Sequence, residues 1–394
     1  MNIQNLFDKT FGDEEEKKGK IVTEENTGTN SAEMNIYEKE KVSQEDIQRR
    51  IKEEFNLDEY KAKILIVGCG GMGSNVITKI TEMGIKGAET LAVNTDAAHL
   101  VMTKADRKLL LGKDLTRGLG AGGTPEIGKR AAEESRTELK ELLRDANMVF
   151  LITGLGGGTG TGATPVIAEI AKNQGALVIT TGTLPFKIEG ARISKAEDGL
   201  YQLRQSCDTT IIIENQKLLE YGGNLPLQEA FELGDEVISK MVKGITETIS
   251  QPSLVNLDYA DVRTIMKSGG VSTIGIGISD SSERAKEAVE KAMRHPLLSV
   301  DYSGAMGALI QIIGGPDLKL EEVNEIGETI SKQLAPEAQT IWGARILDEY
   351  DGKIQVITIV TGVKSPFILG PMTEKKVGDV QTEVSNTLGI DVFR

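Results

Sequence analysis

Residues 154–162 read Gly154-Leu155-Gly156-Gly157-Gly158-Thr159-Gly160-Thr161-Gly162, and this stretch decides the fold. It follows the apolar run 148–153 and precedes 163–172, whose composition predicts a helix. Strand, glycine loop and helix in that order make a geometry that holds a phosphate chain. The glycines let several backbone N–H groups converge, and the helix N-terminus adds the positive end of its dipole. The loop has no lysine, so it is not the GxxxxGK[ST] phosphate loop. Neutralisation then falls to backbone dipoles, to a cation such as Mg²⁺, and to the hydroxyls of Thr159 and Thr161. A glycine-rich turn after a strand is also a common tight turn, so the flanking pattern must discriminate.

That pattern alternates strand and helix from Lys63 onward. It predicts strands at 64–67, 90–93, 109–111, 148–153, 176–181 and 209–213. Helices are expected to 82, over 125–145, over 163–172 and over 191–205. Two further glycine loops stand at strand ends: Gly68-Cys69-Gly70-Gly71-Met72-Gly73-Ser74-Asn75 and Gly118-Leu119-Gly120-Ala121-Gly122-Gly123-Thr124. Pro125 suits the first turn of the helix that follows. Repeated units of this kind imply a parallel sheet with helices on both faces and a ligand beyond the carboxyl ends of the strands. Gly68-x-Gly70-x-x-Gly73 matches the dinucleotide fingerprint, but that fold needs an acid at the end of the second strand, where this chain has Asn94. A dehydrogenase would also have no use for three phosphate-type loops.

Three loops around residues 70, 121 and 157 can instead surround a triphosphate. Guanine presents N1–H and N2–H donors and asks for a carboxylate, and an amide can serve its other edge. Asp235 and Asn215 have that chemistry, with Phe231 one turn before Asp235 to stack on the ring. The plainer alternative is two surface polar residues and a core phenylalanine. These residues belong to, or lie near, a long apolar helix expected at 227–249, which reads as a spacer between domains. Strands at 271–279, 304–313, 340–348 and 353–361 then follow, with helices at 282–294 and 320–333.

The expected fold class is α/β. A Rossmann-like parallel-sheet domain (61–226) is joined by a central helix (227–250) to a smaller α+β domain with a mixed sheet (251–363). Residues 1–60 form an acidic tail with a short amphipathic helix at 43–60, expected to dock on the next domain. That tail carries 16 acidic and 9 basic residues, half of the net charge of −14. The C-terminal tail (364–394) ends in an apolar cluster, Leu388-Gly389-Ile390-Asp391-Val392-Phe393-Arg394, which reads as a docking peptide or as a segment folded back on the body.

The charge balance argues against nucleic acid as a partner. Two cysteines suit a reducing cytosol, and no run approaches a membrane span. No metal-ligand spacing stands out, so no protein metal site is expected. After the long helix comes Asn256-Leu257-Asp258-Tyr259-Ala260-Asp261-Val262-Arg263. Asp258 and Asp261 are three apart, so on a helical turn both face one side and can orient and polarise a water. Alternatively, Asn256 or Asp258 merely caps the helix that follows. A helix rising about 1.5 Å per residue would hold these carboxylates roughly 30 Å from the phosphate loops. They could reach a neighbour's nucleotide if subunits stack head to tail.

Taken together, the chain resembles the FtsZ family of tubulin-like cell-division GTPases and looks like an archaeal member. The resemblance runs from about 63 to 361. It rests on residues 156–162, on 118–125 with Glu126-Ile127-Gly128, on Pro185-Phe186 with Glu189-Gly190, and on Asn256-x-Asp258-x-x-Asp261-x-Arg263. It implies GTP or GDP held by Gly70, Gly71, Met72, Gly73, Ser74 and Asn75, by Gly122 and Gly123, and by Gly156, Gly157, Gly158, Thr159 and Gly160. It implies sugar contacts from Glu189 and Arg192 and guanine contacts from Asn215, Phe231 and Asp235. Mg²⁺ would balance the phosphates, and Asn256, Asp258 and Asp261 would complete the active site of the next subunit. The resemblance also implies a cytoplasmic head-to-tail homopolymer at the mid-cell division site. Its C-terminal tail would engage membrane-anchor or division proteins, without direct membrane insertion. The alternatives are a tubulin-like cell-shape filament protein and a non-hydrolysing nucleotide-binding regulator.

Overall fold

A computed structural model describes residues 62–216, 226–251, 254–255, 257–267, 270–294 and 301–363. The expected helix at 43–60, the tail 364–394 and Asn256 lie outside them. The first strand, β1 (Ile64–Cys69), is buried along its whole length, as a central parallel strand covered on both faces must be. Around it stand β2 (Ala88–Asn94), β3 (Arg107–Leu110), β4 (Met148–Gly154), β5 (Leu177–Leu184) and β6 (Thr209–Glu214), in the order β3-β2-β1-β4-β5-β6 and all parallel.

β7 (Gly270–Ser279) changes partner along its length. Gly270 and Val271 pair parallel with β6, and Ser272 to Ser279 pair antiparallel with β10 (Ile354–Thr361). β8 (Gly307–Gly314) then pairs antiparallel with β10, and β9 (Gln339–Ile346) pairs parallel with β8 at the sheet edge. The parallel half and the mixed half are thus one ten-stranded sheet.

The helices are α1 (Gly70–Glu82), α2 (Ala97–Met102), α3 (Lys113–Thr116), α4 (Pro125–Glu134), α5 (Arg136–Leu142) and α6 (Thr159–Asn173). After them come α7 (Ala191–Ser206), α8 (Leu227–Ser250), α9 (Tyr259–Lys267), α10 (Arg284–Met293) and α11 (Leu320–Ser331). Several differ from the sequence reading. The helix expected at 125–145 is broken at Ser135, whose φ of −91° and ψ of 14° end α4 and whose Oγ accepts the Gly112 N–H at 3.0 Å. α1 and α6 begin inside the glycine stretches, at Gly70 and Thr159, so several expected loop residues are first-turn helix. α2 and α3 are too short to show a periodic signature.

Two apolar layers clothe the sheet. On one face, Ile238, Met241, Val242 and Ile245 of α8 pack with Val76, Ile77 and Ile80 of α1. Lys243 of α8 donates through Nζ to the backbone oxygens of Met83 and Gly84 at 2.8 and 2.7 Å, tying the C-terminal halves of the two helices together. On the other face of the mixed half, α10 lies almost on β7. A Cβ at Gly275 or Gly277 would fall 1.7 or 1.9 Å from the carbonyl oxygens of Ala292 and Ala288. The Gly-x-Gly spacing in β7 and the alanines of α10 therefore set that helix-to-strand distance together.

Arg284 is only 8% exposed and is neutralised by Asp317 and by a two-pronged contact to Glu322, at 2.7 and 3.0 Å. Arg284→Ala would leave the partly buried Glu322 with only the Lys319 N–H at 2.9 Å and take the cation from Asp317. We expect unfolding free energy to drop by about 2 kcal/mol, measured by urea denaturation with an unchanged m-value.

Candidate nucleotide site

The carboxyl ends of β1, β4, β5 and β6 and the first half of α8 enclose a cavity of about 450 Å³. Two helices start at its wall. Neither α1 nor α6 has a side-chain cap or an acidic residue in its first turn. Their first N–H groups and the positive ends of their dipoles are therefore open to an anion. The loop that opens α6 is braced from within: Thr161 Oγ1 accepts the Gly156 N–H at 2.9 Å, and Thr159 Oγ1 meets Thr95 Oγ1 at 2.6 Å.

Most of the residues singled out from sequence meet here. Gly70, Gly71, Met72, Asn75, Gly157, Gly158, Thr159, Gly160, Glu189, Arg192, Asn215, Phe231 and Asp235 all line the cavity. At Gly71 and Gly157 an added Cβ would meet nothing within 4 Å, so the backbone there faces open space. Arg192 is the sole cation among the described lining residues. It packs on the loop, since a Cβ at Gly156 would come within 2.9 Å of its Cβ, and Gly156 has a φ of 92° that suits glycine. Glu189 is held at both oxygens, accepting from Arg192 Nη1 at 2.6 Å and from the Phe186 N–H at 2.8 Å.

Other expected residues stand elsewhere. Gly73 and Ser74 lie on the buried face of α1. A Cβ at Gly73 would sit 2.4 Å from the Ile152 carbonyl oxygen, so this glycine sets helix-on-strand packing. Gly122 and Gly123 have φ of 58° and 71° and lie outside the lining, exposed beside it. Their loop leans on the third loop, because a Cβ at Gly158 would come 2.8 Å from both Ala121 Cβ and the Thr124 nitrogen.

At the far end of the cavity from the glycines, Phe231 is 45% exposed rather than a core residue, and Phe186 meets it edge-on with ring centroids 5.4 Å apart at 81°. Part of the Phe231 ring is thus left open to a planar group. Next to it, burial pushes the Asp235 carboxyl up to about 6, with Glu232 adding to the rise and Lys79 opposing it. Sequence reading missed Lys195, whose Nζ donates to the Gly123 oxygen at 2.7 Å and ties α7 to the second glycine loop. Its position three residues after Arg192, on the same helix face, is the signal that could have found it.

Asp258 and Asp261 are exposed at the start of α9 and lie outside the cavity. The hydroxyl of Tyr259 donates to the Asn147 carbonyl at 2.7 Å, and Thr209 Oγ1 donates to the Met266 carbonyl at 2.9 Å. Asn147 precedes β4 and Thr209 opens β6, so α9 lies at the amino ends of these strands while the cavity lies at their carboxyl ends. The seven residues of β4 alone separate the two by roughly 20 Å.

A parallel sheet with glycine loops at three strand ends, two uncapped helix starts and an acid and an aromatic at the far end of the cavity defines a nucleotide-binding protein of the tubulin-like class. The Tubulin/FtsZ family GTPase-domain model matches residues 63–223, and the FtsZ family C-terminal-domain model matches 270–364. Cell division protein FtsZ 2 of Methanocaldococcus jannaschii is 53% identical over 341 residues, which is 86% of this chain and 89% of that protein. Cell division protein FtsZ 1 of Thermococcus kodakarensis is 52% identical over 334 residues, 84% of this chain and 89% of the relative. The solved empty FtsZ dimer of M. jannaschii is similar with a TM-score of 0.74 at 48% identity, covering 82% of this chain and 99% of that one. CetZ2 of Haloferax volcanii, in a GTPγS-bound protofilament, shares the fold at 23% identity and a TM-score of 0.67, over 83% of this chain and 98% of its own. The chain belongs to the FtsZ family. It is a tubulin-like, filament-forming cell-division GTPase.

Proposed function

We propose that the cavity binds GTP and that hydrolysis takes place only where the Asp258 and Asp261 face of a second subunit covers it. The separation between the cavity and this chain's own Asp258 and Asp261, at opposite ends of β4, carries this reading. In that arrangement the N–H groups of Gly70, Gly71 and Gly157 to Gly160 hold the phosphates, while Gly122 and Gly123 close over their outer end. Glu189 and Arg192 hold the ribose, and Asn215, Phe231 and Asp235 hold the guanine. Residues 61–226 act as the nucleotide-binding domain and 251–363 as the domain that presents the carboxylates, with α8 between them.

The chemistry of the donor set fits this ligand. The glycine end offers N–H donors to an anion, and the other end offers a half-buried carboxylate to a base with two N–H donors. Among the described residues no cluster of three His, Cys, Asp or Glu side chains is built to hold a metal. A Mg²⁺ would be held mainly by phosphate oxygens and water, and Thr159 offers a hydroxyl in the lining. It would neutralise charge on the phosphates, and Asp258 and Asp261 of the adjoining subunit would orient the attacking water and accept its proton. Subunits stack head to tail at the division site, and the C-terminal tail meets the proteins that anchor the filament.

GTP turnover per subunit will accordingly rise steeply with protein concentration and level off once filaments dominate. Phosphate release measured across a wide dilution series, with electron microscopy of the same samples, tests this. A specific activity that stays flat on dilution would remove the interfacial mechanism.

A further inference from the structure

A second concavity, independent of the nucleotide site, lies at the opposite edge of the sheet. It measures about 320 Å³ between α11 and β9 and is lined by Ile310, Ile312, Leu320, Val323, Gly327 and Trp342 among others. Leu320 is 80% exposed and Trp342 40%, large apolar groups that a folded chain normally covers. Gly327 sits inside α11, where glycine costs helix stability, yet a Cβ there would meet nothing within 4 Å. Its missing side chain leaves a notch over Trp342 and its neighbours.

The strand beside the notch is open to another. β9 is the last strand of the sheet, and the N–H groups of Gln339 and Leu347 point toward the β8 side, to the oxygens of Met306 and Gly314. Backbone groups alternate along a strand, so those of Thr340, Trp342 and Ala344 point away from β8. Ala344 exchanges two bonds of 3.1 Å with Val255. Val255 thus covers the Ala344 end of the edge, and Leu257 lies beside Gly343, where a Cβ would come 2.9 Å from its Cγ. Thr340 and Trp342 carry no such partner among the described residues, which leaves a short edge, next to the groove, that accepts an extended segment.

We propose that this groove is the docking site of the chain's own segment 388–393, laid in extended form over the groove and against the Thr340–Trp342 stretch of the β9 edge. In that segment Leu388, Ile390 and Val392 alternate at the period of two that a strand needs to turn one apolar face into a groove, and Phe393 follows. The path also fits. β10 ends at Thr361, which pairs with Gly307, and Gly307 pairs with Gln339 at the start of β9. The chain thus leaves the sheet about 10 Å from β9. The 24 residues 364–387 reach about 25 Å as a flexible chain, which covers that span. Tethering at that range gives an effective concentration of order millimolar, so even a weak segment would occupy the groove. Any protein that binds the tail would then compete with the groove for it.

Trp342 is the single tryptophan of the chain and reports on the groove directly. In the full chain without nucleotide, Ile390→Asp should raise acrylamide quenching of Trp342 about twofold, as expected for loss of a tethered ligand, and shift its emission to the red. A synthetic peptide of residues 385–394 added to that variant should restore the shielding. Gly327→Leu in the same background, folded by circular dichroism, should abolish the restoration by filling the notch. Shielding in the parent should not change with protein concentration. Equal quenching in the parent and Ile390→Asp, or no effect of the peptide, overturns the proposal. Shielding that vanishes on dilution also overturns it, and assigns the groove to a second copy.

Discussion

Asp261→Asn will bind GTP and form filaments like the parent chain, while its turnover falls at least about 100-fold, the usual contribution of a positioned acid–base group. Asp261 is exposed in the first turn of α9, where its backbone N–H is bonded to the Asp258 oxygen at 3.0 Å. An amide of the same shape leaves that turn and the packing of Val262, Ile265 and Met266 beneath it intact. The residue's own cavity is roughly 20 Å away along β4, so binding should not register the change. The sharper form of the test mixes two impaired variants. Asp235→Asn keeps its Asp258 and Asp261 face but has a damaged cavity, and Asp261→Asn has the reverse. Where an Asp235→Asn subunit covers a loaded Asp261→Asn cavity, a complete site is rebuilt, so at GTP concentrations that leave the Asp235→Asn cavity largely empty the mixture should release phosphate much faster than either variant alone. An Asp261→Asn chain that fails to bind GTP would place this carboxylate in its own pocket and defeat the interfacial reading.

Much of this arrangement was legible in the sequence because its causes are local. A strand buried on both faces must read as a continuous apolar run, as 64–67 and 148–153 do, and the glycine stretches can only be loops or close helix starts. What stayed hidden depends on contacts between distant segments. Nothing near Ser135 announces that a bond from Gly112, 23 residues away, accompanies a break in the helix there. Gly73 matches a phosphate-binding fingerprint by spacing, but its use is to admit the carbonyl of Ile152 from β4. The same spacing serves two ends, and only the neighbour decides between them. Phe231 reads as a core residue at helical period. It is half exposed instead because Phe186, from the loop after β5, meets it in a T-shaped contact that leaves part of the ring uncovered. The partner change along β7 is also non-local, since the first two residues pair with β6 and the rest with β10.

Asp235, proposed above to hold the guanine, would weigh on the fold that carries it. Its folded-state value of about 6 lies above the ordinary 3.8 because burial disfavours the charge. The folded chain therefore holds this proton more tightly than the unfolded chain does. The stabilisation that comes with protonation is full below the unfolded value and is lost as pH rises through about 6. At neutral pH the ionised group costs the ligand-free fold about 3 kcal/mol at most. Guanine reverses the balance, since its two N–H donors need the ionised form. Affinity for GTP should be constant above pH 6 and fall below it, approaching tenfold per pH unit, in titrations followed by nucleotide fluorescence or calorimetry. Asp235→Asn removes the charge and one of the two acceptor oxygens. Its thermal midpoint without nucleotide should rise by a few degrees, its affinity should drop about 100-fold, and the pH dependence below 6 should disappear. A variant that is more stable yet binds GTP unchanged, with the same pH profile, would separate Asp235 from the base and leave its burial without a function.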